Sequence, residues 1–174
     1  GGIVVAGNAE LAERIAFFQN AVGGVLGPQD SWLLLRGLKT LPVRMERQQK
    51  NAAILSKWLG NHSRVRKVHY PGLVRHRGRL CLSRQAGGFG AMISIEVDDP
   101  ALVPKILSGV RVFLFAESLG GVESLITFPA AQTHTDMAPE IRKRLGIHDR
   151  LLRLSVGIEN VEDLIEDLDA ALSR

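Results

Sequence analysis

Apolar residues recur along this chain with two distinct periods. Between Leu41 and Leu59 the steps alternate between four and three residues. Leu41, Met45, Ala52, Leu55 and Leu59, with Gln48 in the same stripe, predict a helix facing one partner surface, with Thr40 as its N-cap, Pro42 in its first turn and Gly60 closing it. Val161, Leu164, Ile165, Leu168 and Leu172 predict a closing helix capped by Asn160, with Glu162 and Asp163 on its positive end. "NAELAERIAFFQNAVGG" is a third helix, capped by Asn8 and ended by Gly23 and Gly24. A short helix follows Asp99 and Pro100 through Leu107, and another is expected from Asp136, as cap, to near Gly146.

The second period is two. "GAMISIEV" sets Ala91, Ile93, Ile95 and Val97 against Met92, Ser94 and Glu96. "RLLRLSV" sets Leu152, Leu154 and Val156 against Leu151, Arg153 and Ser155. "VRKVHY", halted by Pro71 and Gly72, reads as a strand, and "VRVFLFA" and "SLITFP" as two more. "GGIVVAG" at the start is expected to be a buried parallel-type strand, which needs neighbours on both sides, so the chain is expected to be cut from something longer. The pattern is α+β: a mainly antiparallel sheet covered on one side by helices.

Composition narrows the classes of function. At 174 residues and 45% hydrophobic, the chain can bury a core. The net charge of +4 would permit nucleic-acid binding, but the basic residues are scattered without interleaved aromatics. The densest stretch, Arg64 to Arg79, reads as a solvated edge, and neither nucleic acid nor membrane is expected as a partner. One cysteine excludes an internal disulfide framework, and with no membrane span or signal pattern it points to the cytoplasm. That residue, Cys81, has no partnered base nearby and is expected to be a half-buried structural thiol. The five histidines lack metal-ligand spacing, and "GGVLG" and "GGFG" lack the strand and helix context of a phosphate-binding fingerprint.

Two features carry chemistry. Arg153 lies mid-strand among leucines, where a guanidinium serves either an internal salt bridge or a bidentate clamp on a ligand carboxylate. "AESLGGVESLITFPA", residues 116–130, offers the complement. Gly120 and Gly121 allow close approach of a ligand, backbone N–H groups round the turn suit an anion, Ser118 brings a hydroxyl, and Glu117 suits an amine or a neighbouring arginine. Arg153, Ser118, Glu117 and Leu119 form the expected substrate-binding set, for an amino-acid carboxylate.

"LLLRGLKTLPVRMERQQKNA", "YPGL", "GFGAMISIEV", "ESLGGVESLITFPAAQTH" and "LLRLSVGIENVEDLIEDLDAAL" resemble, in order and over nearly the whole chain, the Cys/Met-metabolism family of pyridoxal-phosphate (PLP) enzymes. The resemblance implies an aspartate-aminotransferase-like (fold type I) parent. Residues 1–37 would be the tail of its large PLP-binding domain, and residues 38–174 its C-terminal substrate-carboxylate-binding domain. Arg153 matches the family's α-carboxylate arginine and Ser118 the serine beside it. The acid at Glu117 leans toward the cystathionine gamma-type enzymes. The implied reaction is γ-elimination or γ-replacement on cystathionine or activated homoserine. Homoserine sulfhydrylase, methionine gamma-lyase and cystathionine beta-lyase are the alternatives within the family, and a non-catalytic fragment serving only subunit association is the alternative outside it. The family's Schiff-base lysine falls ahead of Gly1, and Lys39 in "RGLKT" does not stand at its position. PLP is therefore expected in the intact parent and not on this chain. The resemblance also implies a homo-oligomer, a tetramer in the family, and the missing PLP-binding region as a partner.

Overall fold

A computed structural model describes residues 2–132 and 135–173, in two compact units, Gly1–Pro42 and Val43–Arg174. The first unit carries α1 (Ala9–Val22) and α2 (Pro28–Leu38). The Asn8 side chain accepts from the Leu11 N–H and Gly23 ends α1 in the left-handed region, as its sequence anticipates. The sequence reading passed over α2, although Pro28 at its start and Asp30 in its first turn are ordinary helix-opening signals. Neither helix buries a single residue, so Phe17, Phe18, Trp32 and Leu35 stand in solvent. The strand expected at "GGIVVAG" does not form. A strand exists only through its ladder, and Ile3, Val4 and Val5 meet no pairing segment and are exposed.

In the second unit a five-stranded sheet is covered on one face by helices. α3 (Leu41–Leu59) is followed by β1 (Val65–His69), α4 (Arg79–Gln85), β2 (Met92–Val97), α5 (Leu102–Gly109), β3 (Leu114–Phe115), β4 (Leu125–Thr127), α6 (Pro139–Arg144), β5 (Leu151–Ser155) and α7 (Val161–Leu172). The strand order is β1-β2-β5-β4-β3, antiparallel except between β3 and β4. The period-two reading holds: Ile93, Ile95, Val97, Leu152, Leu154 and Val156 are fully buried. They form one core with Leu55 and Leu59 of α3, Val103 and Ile106 of α5, and Leu164 and Leu168 of α7. Tyr70 joins that core while its hydroxyl donates to the Gly90 carbonyl, and burial pushes its phenol pKa up.

β3 and β4 are shorter than their apolar runs because side chains intercept the backbone. The carboxylate of Asp167 accepts the N–H groups of Arg111, Val112 and Phe113 at 2.7, 3.0 and 2.9 Å. "VRVFLFA" therefore contributes only Leu114–Phe115 to the ladder. At β4, the Ser124 N–H goes to the Glu159 carboxylate and the Phe128 N–H to the Gln132 side chain. Three further expectations are corrected. α6 begins at Pro139 with Ala138 at the cap position, because proline presets the first helical turn and leaves Asp136 too far upstream to cap it. Residues 79–85, just after the basic stretch read as a solvated edge, form a helix, α4, that the sequence reading does not anticipate. Cys81 lies on that helix and is exposed, not half-buried, because α4 packs no buried residue against the core.

On the sheet's open face the Glu96 carboxylate gathers His69 at 2.7 Å, His148 at 3.6 Å and Lys67 at 3.8 Å. Burial alone would raise its pKa, but the hydrogen bond from His69 and the charges of His148, His69 and Lys67 outweigh that and hold it below the ordinary 4.5. A depressed carboxyl pKa contributes stability above the unfolded value, and that contribution is lost as pH falls through the folded one. Glu96→Gln should therefore melt below the parent near neutral pH, with the gap closing as the pH drops below about 4.5. Asp167→Ala strips three N–H groups of their acceptor and should cost about 2–3 kcal/mol in urea unfolding.

Candidate functional site

β5 is the strand with neighbours on both sides nearest the candidate residues, and its alternation decides what each face receives. Leu152 and Leu154 enter the core, so Arg153 projects from the open face, opposite Ser94 on β2 and Thr127 on β4. Arg153 is half-buried, and among the described residues no carboxylate pairs with it. Its guanidinium donates to the Ser118 carbonyl at 3.5 Å. Among the described residues, the internal salt bridge that the sequence left open for this arginine does not appear.

The Ser118 contact comes from the loop that joins β3 to β4, residues 116–124. Two parallel neighbours oblige the chain to travel back along its own strand before pairing again. The loop makes that return and folds over the open face of β5. Gly120 adopts φ 77°, a left-handed conformation that suits glycine, and its N–H donates to Ser155 Oγ at 2.8 Å. The Gly121 carbonyl accepts from the Gln48 side chain on α3. Ser155 is consequently buried, although strand alternation turns it away from the core.

A second set of bonds fixes the base of the loop. Ser124 donates its N–H and its hydroxyl to the two oxygens of Glu159, at 2.6 and 2.9 Å. The same hydroxyl oxygen accepts the Gly157 N–H at 2.8 Å, and the Ile158 N–H donates to the Val122 carbonyl at 2.9 Å. A side chain at 157 would meet that Val122 carbonyl at 2.2 Å, so only glycine allows the two segments to lie this close. Asn51 of α3 donates to the carbonyls of Gly157 and Glu159, at 3.1 and 2.9 Å.

Of the four expected site residues, the geometry brings Arg153 and Ser118 together. Glu117 and Leu119 flank them on the same loop, exposed, and the Glu117 carboxylate takes no partner among the described residues. The arrangement brings a guanidinium to the backbone of Ser118 next to a glycine turn, and among the described residues no carboxylate pairs with Arg153. That chemistry suits one planar anion. Sequence reading missed the residues that hold the turn: Gln48, Asn51, Ser124, Ser155 and Glu159. Two of them did leave a signal, since Gln48 is polar within an apolar stripe and Ser155 shares its strand face with Arg153. Ser124 and Glu159 left none, because nothing local reveals that segments 35 residues apart meet.

Residues 1–173 match the family model of the Cys/Met metabolism PLP-dependent enzymes. The chain is 49% identical over its whole length to a cystathionine gamma-lyase of Bacillus subtilis and 49% identical over 99% of its length to a cystathionine beta-lyase of Lactococcus lactis subsp. cremoris. It spans 46% of each of those proteins, corresponding to their C-terminal part. Among solved structures, a cystathionine gamma-synthase of Xanthomonas oryzae pv. oryzae in complex with aminoacrylate and cysteine superposes with a TM-score of 0.92 at 48% identity, covering 97% of this chain and 44% of that one. The helix-covered antiparallel sheet is that of the C-terminal domain of these enzymes, and the chain belongs to the Cys/Met-metabolism family of PLP-dependent enzymes.

Proposed function

We propose that this chain forms the substrate-carboxylate end of a PLP-dependent transsulfuration enzyme, one that performs γ-elimination or γ-replacement on cystathionine or an activated homoserine. The observation that carries this is Arg153: a half-buried residue on a rigid strand, with no carboxylate among the described residues to neutralise its guanidinium. A planar fork in that state accepts a carboxylate in two parallel charge-assisted bonds. The Ser118 hydroxyl and the Gly120 turn stand beside the incoming group, and Glu117 and Leu119 border the remainder of the substrate. Glu117 offers an acceptor to an amine, which a cystathionine-like substrate carries at its far end. Cystathionine gamma-lyase and gamma-synthase chemistry are both served by such a clamp, and the choice between them lies with the leaving group.

PLP supplies the carbanion stabilisation in this family. The residues present here do not fit that group. All six lysines (Lys39, Lys50, Lys57, Lys67, Lys105 and Lys143) are exposed. An imine-forming lysine needs a desolvated or charge-crowded ammonium, which exposure denies it. The chain's contribution is to bind and orient the amino acid, with the imine chemistry supplied by the PLP-binding region. The uncovered apolar faces of α1 and α2 support the same division, since residues 1–37 read as the tail of that region and would pack against its remainder. Subunits of a homo-oligomer complete the expected assembly.

The test is Arg153→Lys in the enzyme that contains this chain. Lysine keeps the charge and loses the fork, so kcat/KM should fall at least tenfold, on the order of 1.4 kcal/mol of transition-state binding, while the melting temperature barely moves. A structural arginine would do the reverse. The turn can be checked in the chain itself. Ser155→Ala removes the acceptor of the Gly120 N–H and should raise hydrogen exchange at that amide at least tenfold, with a loss of overall stability near 1 kcal/mol.

A further inference from the structure

The loop between β1 and α4 is built, and it carries more positive charge than its own acids answer. Three turns follow one another: the Leu73 N–H donates to the Tyr70 carbonyl at 3.0 Å, His76 to Leu73 at 3.0 Å, and Arg79 to His76 at 3.1 Å. The buried Tyr70 ring anchors one end, lying so close to Gly72 that a side chain there would meet it at 2.3 Å. Arg79 anchors the other, hydrogen-bonding the Gly72 carbonyl and stacking its guanidinium 4.8 Å from the Phe89 ring centroid. The segment from 70 to 79 is therefore held at both ends and along its length.

That frame and β1 enclose a concavity of about 550 Å³ lined by Lys67, His69, Arg75, His76 and Arg77, over an apolar floor of Val68 and Leu73. No carboxylate lines it. Glu96, just outside, is engaged with Lys67 and His69, whereas Arg75 and Arg77 have no acid partner among the described residues. The tautomer of His76 is also set. Its Nδ1 accepts the Gly78 N–H at 3.1 Å, so the neutral ring carries its proton on Nε2, as a donor.

We propose that this concavity is a binding site for a small phosphate-bearing anion, separate from the Arg153 site. Arg75 and Arg77, with no acid partner among the described residues, and His76 line one hollow of ligand size, and multiply charged oxyanions match guanidinium forks. The like charges repel one another while the hollow is empty, and an anion relieves that repulsion on entering. The lining holds no Phe, Tyr or Trp, the broad rings on which successive nucleobases stack, which favours a small ligand over a nucleic acid.

Inorganic pyrophosphate titrated calorimetrically into the whole chain, at low ionic strength and pH 7, should bind saturably at one site. The amide resonances shifted by NMR should be those of residues 75–78. The double variant Arg75→Ala/Arg77→Ala should bind at least tenfold more weakly with an unchanged melting temperature. Lys143→Ala/Arg144→Ala, which removes equal charge from α6, should leave affinity within twofold. His76→Ala should weaken binding about threefold. Absence of saturable binding at millimolar pyrophosphate overturns the proposal, and so does equal weakening in the two double variants, which marks unspecific attraction. A thymidine oligonucleotide that binds more tightly than pyrophosphate and is lost with Arg75 and Arg77 also overturns it, in favour of a nucleic-acid surface. None of these readouts depends on the Arg153 clamp.

Discussion

The second unit turns on the placement of β5 inside its sheet. It is hydrogen-bonded to β2 on one side and β4 on the other, so its backbone cannot slip by a residue without losing both ladders. Period-two alternation then couples two outcomes that are otherwise unrelated. The same register that drives Leu152, Leu154 and Val156 into the core sends Arg153 and Ser155 to the opposite face. Core packing thereby aims the guanidinium, and a change that disturbed the packing would misdirect the arginine before it unfolded the domain.

The return loop is organised by the same strand. Its turn rests on Ser155 and Gln48, and its base on a carboxylate, Glu159, that serves two donors of one serine. A charged acceptor shared in this way makes stronger hydrogen bonds than a neutral one, and burial of Ser124 protects them from water. Asp167 works on the same principle at the edge of the sheet, where it takes over backbone N–H groups that would otherwise have lengthened β3.

What could be read from the chain beforehand follows from the range of each interaction. Local periodicity located β2, β5, α3 and α7 and most of their buried faces, because alternation and helical spacing act between near neighbours. Leu41 of the α3 stripe is exposed, however, and Asn51 and Ser56 of α3 are buried unforeseen. The lengths of β3 and β4 were not legible, since Asp167 and Glu159 reach them from 54 or more and 35 residues away. "GGIVVAG" read as a strand because its composition is that of one, yet pairing is a property of two segments and no second one pairs with it among the described residues. At the site, Arg153 announced itself as a charge among leucines and Ser118 as part of a glycine-rich turn. Their meeting depended on the parallel return between β3 and β4, which no spacing in the sequence encodes.

The loop's tethers have a consequence for how such a domain diversifies. Gly120 is held through its N–H, Gly121, Ser118 and Val122 through their carbonyls, and Ser124 alone through a side chain as well. Because the path is fixed almost wholly by main-chain atoms, the side chains at 117, 118, 119 and 122 are structurally unencumbered. Mutation can exchange them one at a time without the loop changing course. Under the proposed reading of Arg153 as the carboxylate clamp, one scaffold can then keep that arginine while drift at a few exposed loop positions resculpts the wall beside it.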